Sequence, residues 1–297
     1  MILIADSGST KTDWAFVDRG TIFYKVKTQG INPFHQSEEV MTRVLCEELL
    51  PQVSGVCRSP EAVFFYGSGV RDEMKPMMRG LLAGVFPEAR LIEAHSDLTG
   101  AARALCGDSP GIACILGTGA NSCLYDGRDI VMNTPALGYI LGDEGSGAVL
   151  GVRFLNALYK GVLPVTVRDA FGMASGETMA SVIRKVYREP MPNRFLASLA
   201  PFIHSQLHVP EVERLVVDNF RDFLVRNVAP YFTGGAETRS RAAGRESCGY
   251  PVSAVGSIAW HFRQQFLRAL ALESMPAGTI LQSPLDGLAG RQSCVVG

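Results

Sequence analysis

The sequence predicts an α/β protein made of two lobes on one plan, and three features predict it. Residues 112–125 read as a buried strand (112–116), a glycine turn (Gly117-Thr118-Gly119) and a second strand leading out through Cys123-Leu124-Tyr125. Residues 1–17 repeat the pattern around the turn Asp6-Ser7-Gly8-Ser9-Thr10. Behind each hairpin comes a third strand and then helices alternating with single strands, the order of a layered α/β lobe. Glycine allows a tight bend and close approach of a ligand. The turn amides and the Thr118 and Ser122 hydroxyls are therefore expected to form an anion cradle. Two such hairpins suggest an anion held between the lobes.

In chain order, 21–27 alternates enough to complete an antiparallel meander, and Gln29-Gly-Ile-Asn32-Pro-Phe34 is a loop by its Gly and Asn-Pro content. A helix at 37–50, a strand at 62–66 ending in Gly67-Ser-Gly69, a helix at 74–85 and a strand at 90–94 follow. Ser96-Asp97 then opens a helix over 98–105. The second lobe begins with strands at 112–116, 121–125 and 129–133. It continues through the loop 134–146 and a helix at 148–159. Apolar spacing predicts a helical insert over 176–229, with helices at 176–187, 194–206 and 211–228. Residues 234–249, small and polar, read as a mobile surface loop. A strand at 251–255, the Gly256-Ser257 turn, a helix at 258–272, a strand at 278–281 and a short helix at 283–290 close the chain. The expected domains are 1–108 and 109–282, with the terminal segment 283–297 packing back on the first.

Composition narrows the function classes. At 297 residues, 47% hydrophobic and 19% charged, the chain buries a large core and is ordinary for a globular protein. A net charge of −1, from 28 basic and 29 acidic residues, gives no electrostatic case for nucleic acid or an anionic membrane. No run approaches the ~20 apolar residues of a membrane span, and the N-terminus starts with a strand rather than a secretory leader. The seven cysteines (46, 57, 106, 114, 123, 248, 294) are scattered without a C-x-x-C, as expected of reduced core cysteines in a cytoplasmic protein. The five histidines lack metal-ligand spacing; His204 and His208, i and i+4, are a coincidence on a helix end.

The repeated β-β-β-α-β-α order with acidic residues near strand ends is the plan of the ribonuclease-H-like duplicated lobes of actin, hexokinase and heat-shock ATPases, whose active site is an interlobe cleft. The segments Asp6-Ser-Gly-Ser-Thr10, Ser96-Asp97-x-x-Gly-Ala101, Leu116-Gly-Thr-Gly-Ala-Asn-Ser122, Leu137-Gly-Tyr-Ile-Leu-Gly-Asp-Glu-Gly-Ser146 and Val255-Gly-Ser257 occur in order. Together they resemble the BadF/BadG/BcrA/BcrD ATPase family in its N-acetylglucosamine-kinase-like branch, over nearly the whole chain. The resemblance implies ATP and Mg²⁺ as cofactors and a homodimer. It also implies transfer of phosphate to the 6-hydroxyl of an amino sugar, N-acetylglucosamine first, with glucosamine and N-acetylmuramic acid as alternatives.

It also assigns roles. Asp97 matches the catalytic aspartate and would take the proton of the attacking hydroxyl; an aspartate here also suits a helix N-cap. Asp6 would hold Mg²⁺ beside Ser7, Gly8, Ser9 and Thr10, which face the nucleotide; an Asx turn is the plain alternative. Thr118 and Gly119 would contact the nucleotide, as would Ser198 (or Ala197) on the insert and Gly256-Ser257, whereas Ala120 and Asn121 face the sugar. Asp143 would bind sugar hydroxyls, with Ala136-Leu137-Gly138 as a wall; a helix N-cap is the alternative for Asp143. The animal N-acetylglucosamine kinases carry Gly-Trp-Gly at this wall, so an aromatic surface is lost and the acceptor is left open. Asn32 matches a family asparagine that hydrogen-bonds the sugar, and is equally suited to a turn. Lys11 is read as a solvated turn lysine, and His95 is set aside as a modulator of Asp97.

Two rivals come from other classes. Other branches of the family are ATPases that activate a reductase or dehydratase through a cysteine-held iron–sulfur cluster, but Cys106, Cys114 and Cys123 fall in helix and strand positions here. A non-catalytic sugar-binding regulator is the other; an intact Asp97 and two phosphate hairpins argue against it. The zinc-bearing cysteine cluster of another glucokinase-type family is absent.

Overall fold

The computed structural model describes residues 1–8, 10–56, 59–233 and 249–296, with side chains as far as residue 292. It contains two five-stranded sheets of the same topology. In the first, β1 (Ile2–Ser7), β2 (Lys11–Asp18) and β3 (Thr21–Gln29) form an antiparallel meander, and β4 (Ala62–Gly67) and β5 (Leu91–Ser96) add in parallel on the other side of β1. The order is β3-β2-β1-β4-β5. In the second, β6 (Gly111–Leu116), β7 (Ala120–Tyr125) and β8 (Ile130–Thr134) repeat the meander, and β9 (Val252–Val255) and β10 (Ala277–Leu281) repeat the parallel additions, in the order β10-β9-β6-β7-β8.

The chain divides into two compact units: residues 1–109, 127–129 and 283–297, and residues 110–126 and 130–282. In the first unit, alternation along the strands feeds two cores. Leu3, Ala5, Trp14 and Phe16 pack under α1 (Glu38–Arg43), the π-helical turns Val44–Leu49 and α2 (Leu50–Val53), and under α3 (Lys75–Val85). Ile2, Ile4, Ala15, Val17 and Phe64 face the other way. They are covered by α4 (Asp97–Cys106) and by Leu285, Leu288 and Ala289 of the terminal helix Pro284–Val296. With both faces covered the central strands are wholly buried, the usual state of parallel sheets.

In the second unit, Ile112, Cys114 and Leu116 pack against one large cluster from the crossover helices. These are α5 (Gly138–Leu141), α6 (Gly147–Tyr159), α7 (Val165–Ser175), α8 (Met179–Tyr187), α9 (Pro192–Ala197), α10 (Ala200–Ser205), α11 (Pro210–Phe223), the π turns Leu224–Val228 and α12 (Ala229–Thr233). α13 (Ser257–His261) and α14 (Arg263–Leu272) join β9 to β10, and Pro284–Val296 is α15.

Several boundaries differ from expectation. The helix expected over 194–206 is two, because Pro201 has no N–H to give and its ring clashes with a helical carbonyl four residues back, so the chain restarts as α10. The expected helix 258–272 is broken at Phe262. α7 was not anticipated, although Pro164 before it and the left-handed Gly176 after it are ordinary helix punctuation. The segment read as the loop 134–146 contains α5, and α15 runs past residue 290 to Val296. The surface loop expected at 234–249 lies, but for Gly249, outside the described residues.

Candidate active site

In the first unit the site residues collect at the carboxyl ends of the parallel strands, where open α/β sheets bind ligands. Register puts Ser7 opposite Gly67, and Gly67 opposite Ser96, so β1, β4 and β5 end level with one another. Asp97 follows Ser96 as the first residue of α4. Its alternative role is excluded by the cap itself: Ser96 is the N-cap, its Oγ accepting the Thr99 N–H at 3.2 Å. The Asp97 carboxylate accepts only the neighbouring Leu98 N–H (2.9 Å) and its own. Burial pushes it up to about 6, the two amide bonds pulling the other way.

Asp6 lies one residue before the end of β1 and opposite Asp13 of β2. Burial first, then the charges of Asp97 and Asp13, push it up to about 7 against a small opposing pull from Lys11. Asp13 escaped the sequence reading, though counting back from the turn in antiparallel register places it beside Asp6. Lys11 Nζ is 2.6 Å and Lys27 Nζ 3.7 Å from the Asp13 carboxylate, so Lys11 is partnered. Asp6 and Asp13 stand opposite each other near this strand end, and the charge of Asp97 is felt at Asp6. Among the described residues there is no cluster of three or more metal-ligating side chains.

The cradle is narrower than expected. Gly8 N–H closes its own turn on Lys11 O at 3.0 Å, and Gly117 N–H does so on Gly119 O at 3.0 Å, which removes both amides from ligand binding. The Ser7 hydroxyl is also committed. It is buried at 2.6 Å from Thr12 Oγ1, donates to Ile31 O and accepts the Ile31 N–H, both at 2.9 Å, and so ties the β3–α1 loop to β1. Ser122 Oγ is likewise buried, bonded to Tyr231 Oη at 2.8 Å. Thr10 stays exposed at the turn, and Ser9 lies outside the described residues. Asn32 takes the turn role: its Oδ1 accepts the Phe34 N–H at 3.0 Å, and its Nδ2 is 3.5 Å from Ser68 Oγ. Part of its donor capacity stays available to a hydroxyl.

In the second unit the residues expected at the nucleotide converge on a residue the sequence reading missed, Gly147. Its N–H donates to Gly117 O at 2.8 Å and the next, of Ala148, to Thr118 O at 3.1 Å, so the start of α6 is docked on the β6–β7 turn. A Cβ at 147 would lie 3.1 Å from Ile258 Cδ1 and 3.2 Å from Ala197 Cβ. The turn, the end of α9 with exposed Ser198, and the start of α13 with exposed Ser257 are thereby held together. Gly256 has φ +123°, and a Cβ there would stand 2.4 Å from Leu116 O, so no other residue fits this crossing.

Asp143 is brought to the same turn. The N–H groups of Ala120 and Gly138 donate to its carboxylate, while burial outweighs them and raises its pKa. It is not the helix cap; Ser146 is, accepting the Val149 N–H at 3.1 Å. Asp143 instead sits at φ 55°, a left-handed backbone. The segment after it is fastened: Glu144 accepts from Asn227 Nδ2 at 3.2 Å and pairs with Arg226 at 3.5 Å, and Ser146 Oγ caps α6. Asn121 Oδ1 accepts from the Ser122 N–H and from Asn133 Nδ2, both at 2.9 Å. Ala136, Leu137 and Gly138 are exposed, next to the solvent-facing Ile140 and Leu141. His95 is stacked on Tyr66 and bonded to Glu93. Cys114 and Cys123 are buried in paired strands and Cys106 is half-buried. No helix of the described residues is long and apolar enough to cross a membrane.

No family model and no curated protein matches the chain. Among solved structures, a proposed N-acetylglucosamine kinase from Porphyromonas gingivalis is 46% identical over 99% of both chains, with a TM-score of 0.91. A second proposed N-acetylglucosamine kinase, from Chromobacterium violaceum, is 20% identical over 98% of both chains at a TM-score of 0.68. An ethanolamine utilization protein from Carboxydothermus hydrogenoformans is 15% identical, covering 97% of this chain and 88% of its own, at 0.52. The last two share the fold alone. That fold is the duplicated α/β architecture of the actin, hexokinase and heat-shock ATPases. Given the 46% identity over its full length, the chain belongs to the N-acetylglucosamine-kinase-like branch of the BadF/BadG/BcrA/BcrD ATPase family.

Proposed function

We propose that the protein is an ATP-dependent sugar kinase that phosphorylates N-acetylglucosamine on its 6-hydroxyl. The observation that carries this reading is Asp97: a serine relieves it of helix capping, and burial lifts it to about 6, a serviceable value for a general base. Asp97 accepts the hydroxyl proton as the oxygen attacks the γ-phosphorus. Little else is asked of covalent chemistry in phosphoryl transfer, so positioning and charge dominate.

Asp6, with Asp13 beside it, would hold Mg²⁺, which when bound would neutralise phosphate charge. Thr10 in the first unit, and Thr118, Gly119, Ser198, Gly256 and Ser257 in the second, hold the nucleotide. Asp143 binds sugar hydroxyls, with Ala120, Asn121 and the Ala136-Leu137-Gly138 wall in the same unit; Asn32 of the first unit is a further sugar contact. Identity to the Porphyromonas protein supports the choice of N-acetylglucosamine.

The test is ADP release from MgATP across a panel of hexoses, amino sugars and N-acetylated sugars against a sugar-free blank. Stimulation by N-acetylglucosamine, with the product's phosphate placed by NMR, is the expected result. A sugar-independent rate would sink the proposal.

A further inference from the structure

One cross-strand row of the first sheet runs Lys27, Asp13, Asp6, Tyr66, His95 over all five strands. Tyr66 stands in it between the Asp6 strand and the strand that leads into Asp97, and it is fully buried. Its ring stacks on His95, with centroids 5.6 Å apart and planes at 21°. The His95 Nε2 is 2.8 Å from Glu93, and Glu93 is 3.7 Å from Arg103.

Toward α4 the tyrosine makes two contacts of different kinds. A Cβ at residue 100 would be 2.9 Å from three atoms of Tyr66, its Cβ and two ring carbons, so only glycine lets the first turn of the helix rest there. One turn on, Arg103 Nη1 donates to Tyr66 Oη at 3.1 Å. Gln292 of α15, itself buried, donates to the same oxygen. Packing alone would be served by phenylalanine. A buried phenol taking donors from two helices fixes how those helices sit.

We propose that Tyr66 is a positioning residue for phosphoryl transfer: it holds α4 by ring and hydroxyl, and so sets the Asp97 carboxylate relative to the Asp6 strand. Asp97 opens the helix whose third and sixth following residues, Gly100 and Arg103, are the ones gripped. Small displacements of a general base cost rate steeply while leaving ground-state binding alone. α15 joins this arrangement through Gln292. This inference rests on the kinase reading.

The experiment compares full-length Tyr66→Phe, Gln292→Leu and Asp97→Ala enzymes by steady-state kinetics with MgATP and N-acetylglucosamine, and by amide hydrogen exchange. Tyr66→Phe is expected to lower kcat about tenfold or more with both KM values within about twofold. Exchange should speed up over residues 98–103 and not in α3, and Gln292→Leu should give a smaller change of the same pattern. Wild-type kcat and exchange in Tyr66→Phe would overturn the inference. So would a loss of kcat that only tracks a loss of folded protein, with α3 and α4 exchanging equally faster. An active Asp97→Ala enzyme would instead bring down the assignment of the base, and α4 exchange in Tyr66→Phe would then decide the coupling by itself.

Discussion

The two sheets have the same strand order and the same crossover logic, yet one row differs between them in kind. At the level one residue before the first hairpin's turn, the first sheet carries Lys27, Asp13, Asp6, Tyr66 and His95. The corresponding level of the second sheet carries Asn121, Ile115, Val255 and Leu281. Apart from Asn121 at its end, that row is apolar, so the architecture is content with apolar residues at its centre. The acidic row is thus a burden on the first sheet, visible in Asp6, whose burial among like charges lifts it to about 7. Residues that a fold does not require, in a place where they repel, fit the proposed role of this row in handling a ligand.

The severest way to sharpen the contrast is Asp97→Ala, expected to lower kcat by roughly 10³-fold while MgATP affinity by calorimetry stays within a few-fold. Asp6→Asn should cost about 100-fold in kcat by weakening metal and phosphate placement. The same change should raise the melting temperature of the ligand-free protein more at pH 8 than at pH 5. The sign follows from linkage. The folded state holds Asp6 and Asp97 protonated to higher pH than the unfolded chain, so their ionisation costs stability as pH climbs from about 4 to about 7, and removing one removes its share. Asp143→Ala is expected to raise the KM for the sugar about tenfold or more with the KM for ATP unchanged, since it acts through uniform binding. With wild-type enzyme, kcat/KM should fall as pH drops through about 6, where Asp97 becomes protonated and cannot accept the hydroxyl proton. Smallest of all, Ile115→Val in the apolar row should cost about 1 kcal/mol in urea unfolding and leave kcat untouched. A large loss of activity there would erase the distinction between the sheets.

The duplication was legible because a glycine turn between two apolar runs reads the same wherever it occurs. Local capping was not. Ser96-Asp97 and Asp143–Ser146 each offer two residues able to cap a helix, and only backbone geometry shows that the serine caps and the aspartate is released. Ser7 looked like a turn ligand, yet alternation along β1 turns its hydroxyl into the core. Asp13 and Tyr66 were missed for the converse reason. Each belongs to a strand read as plain core, and only register between strands brings it to Asp6. Gly147 gave no signal beyond being a small residue at the start of a helix, because its value lies in what three distant segments place against it.

The terminal helix has a consequence for how the molecule comes into being. Ile2, Ile4, Ala15, Val17 and Phe64 are synthesised well before Leu285, Leu288 and Ala289, which complete their cover beside α4. Between lie residues 110–126 and 130–282, nearly all of another compact unit. A growing chain therefore carries a sheet face covered by α4 but not by the terminal helix throughout the making of that unit. The first unit begins first and is finished last, and a fragment ending near residue 109 would expose the same face and tend to aggregate.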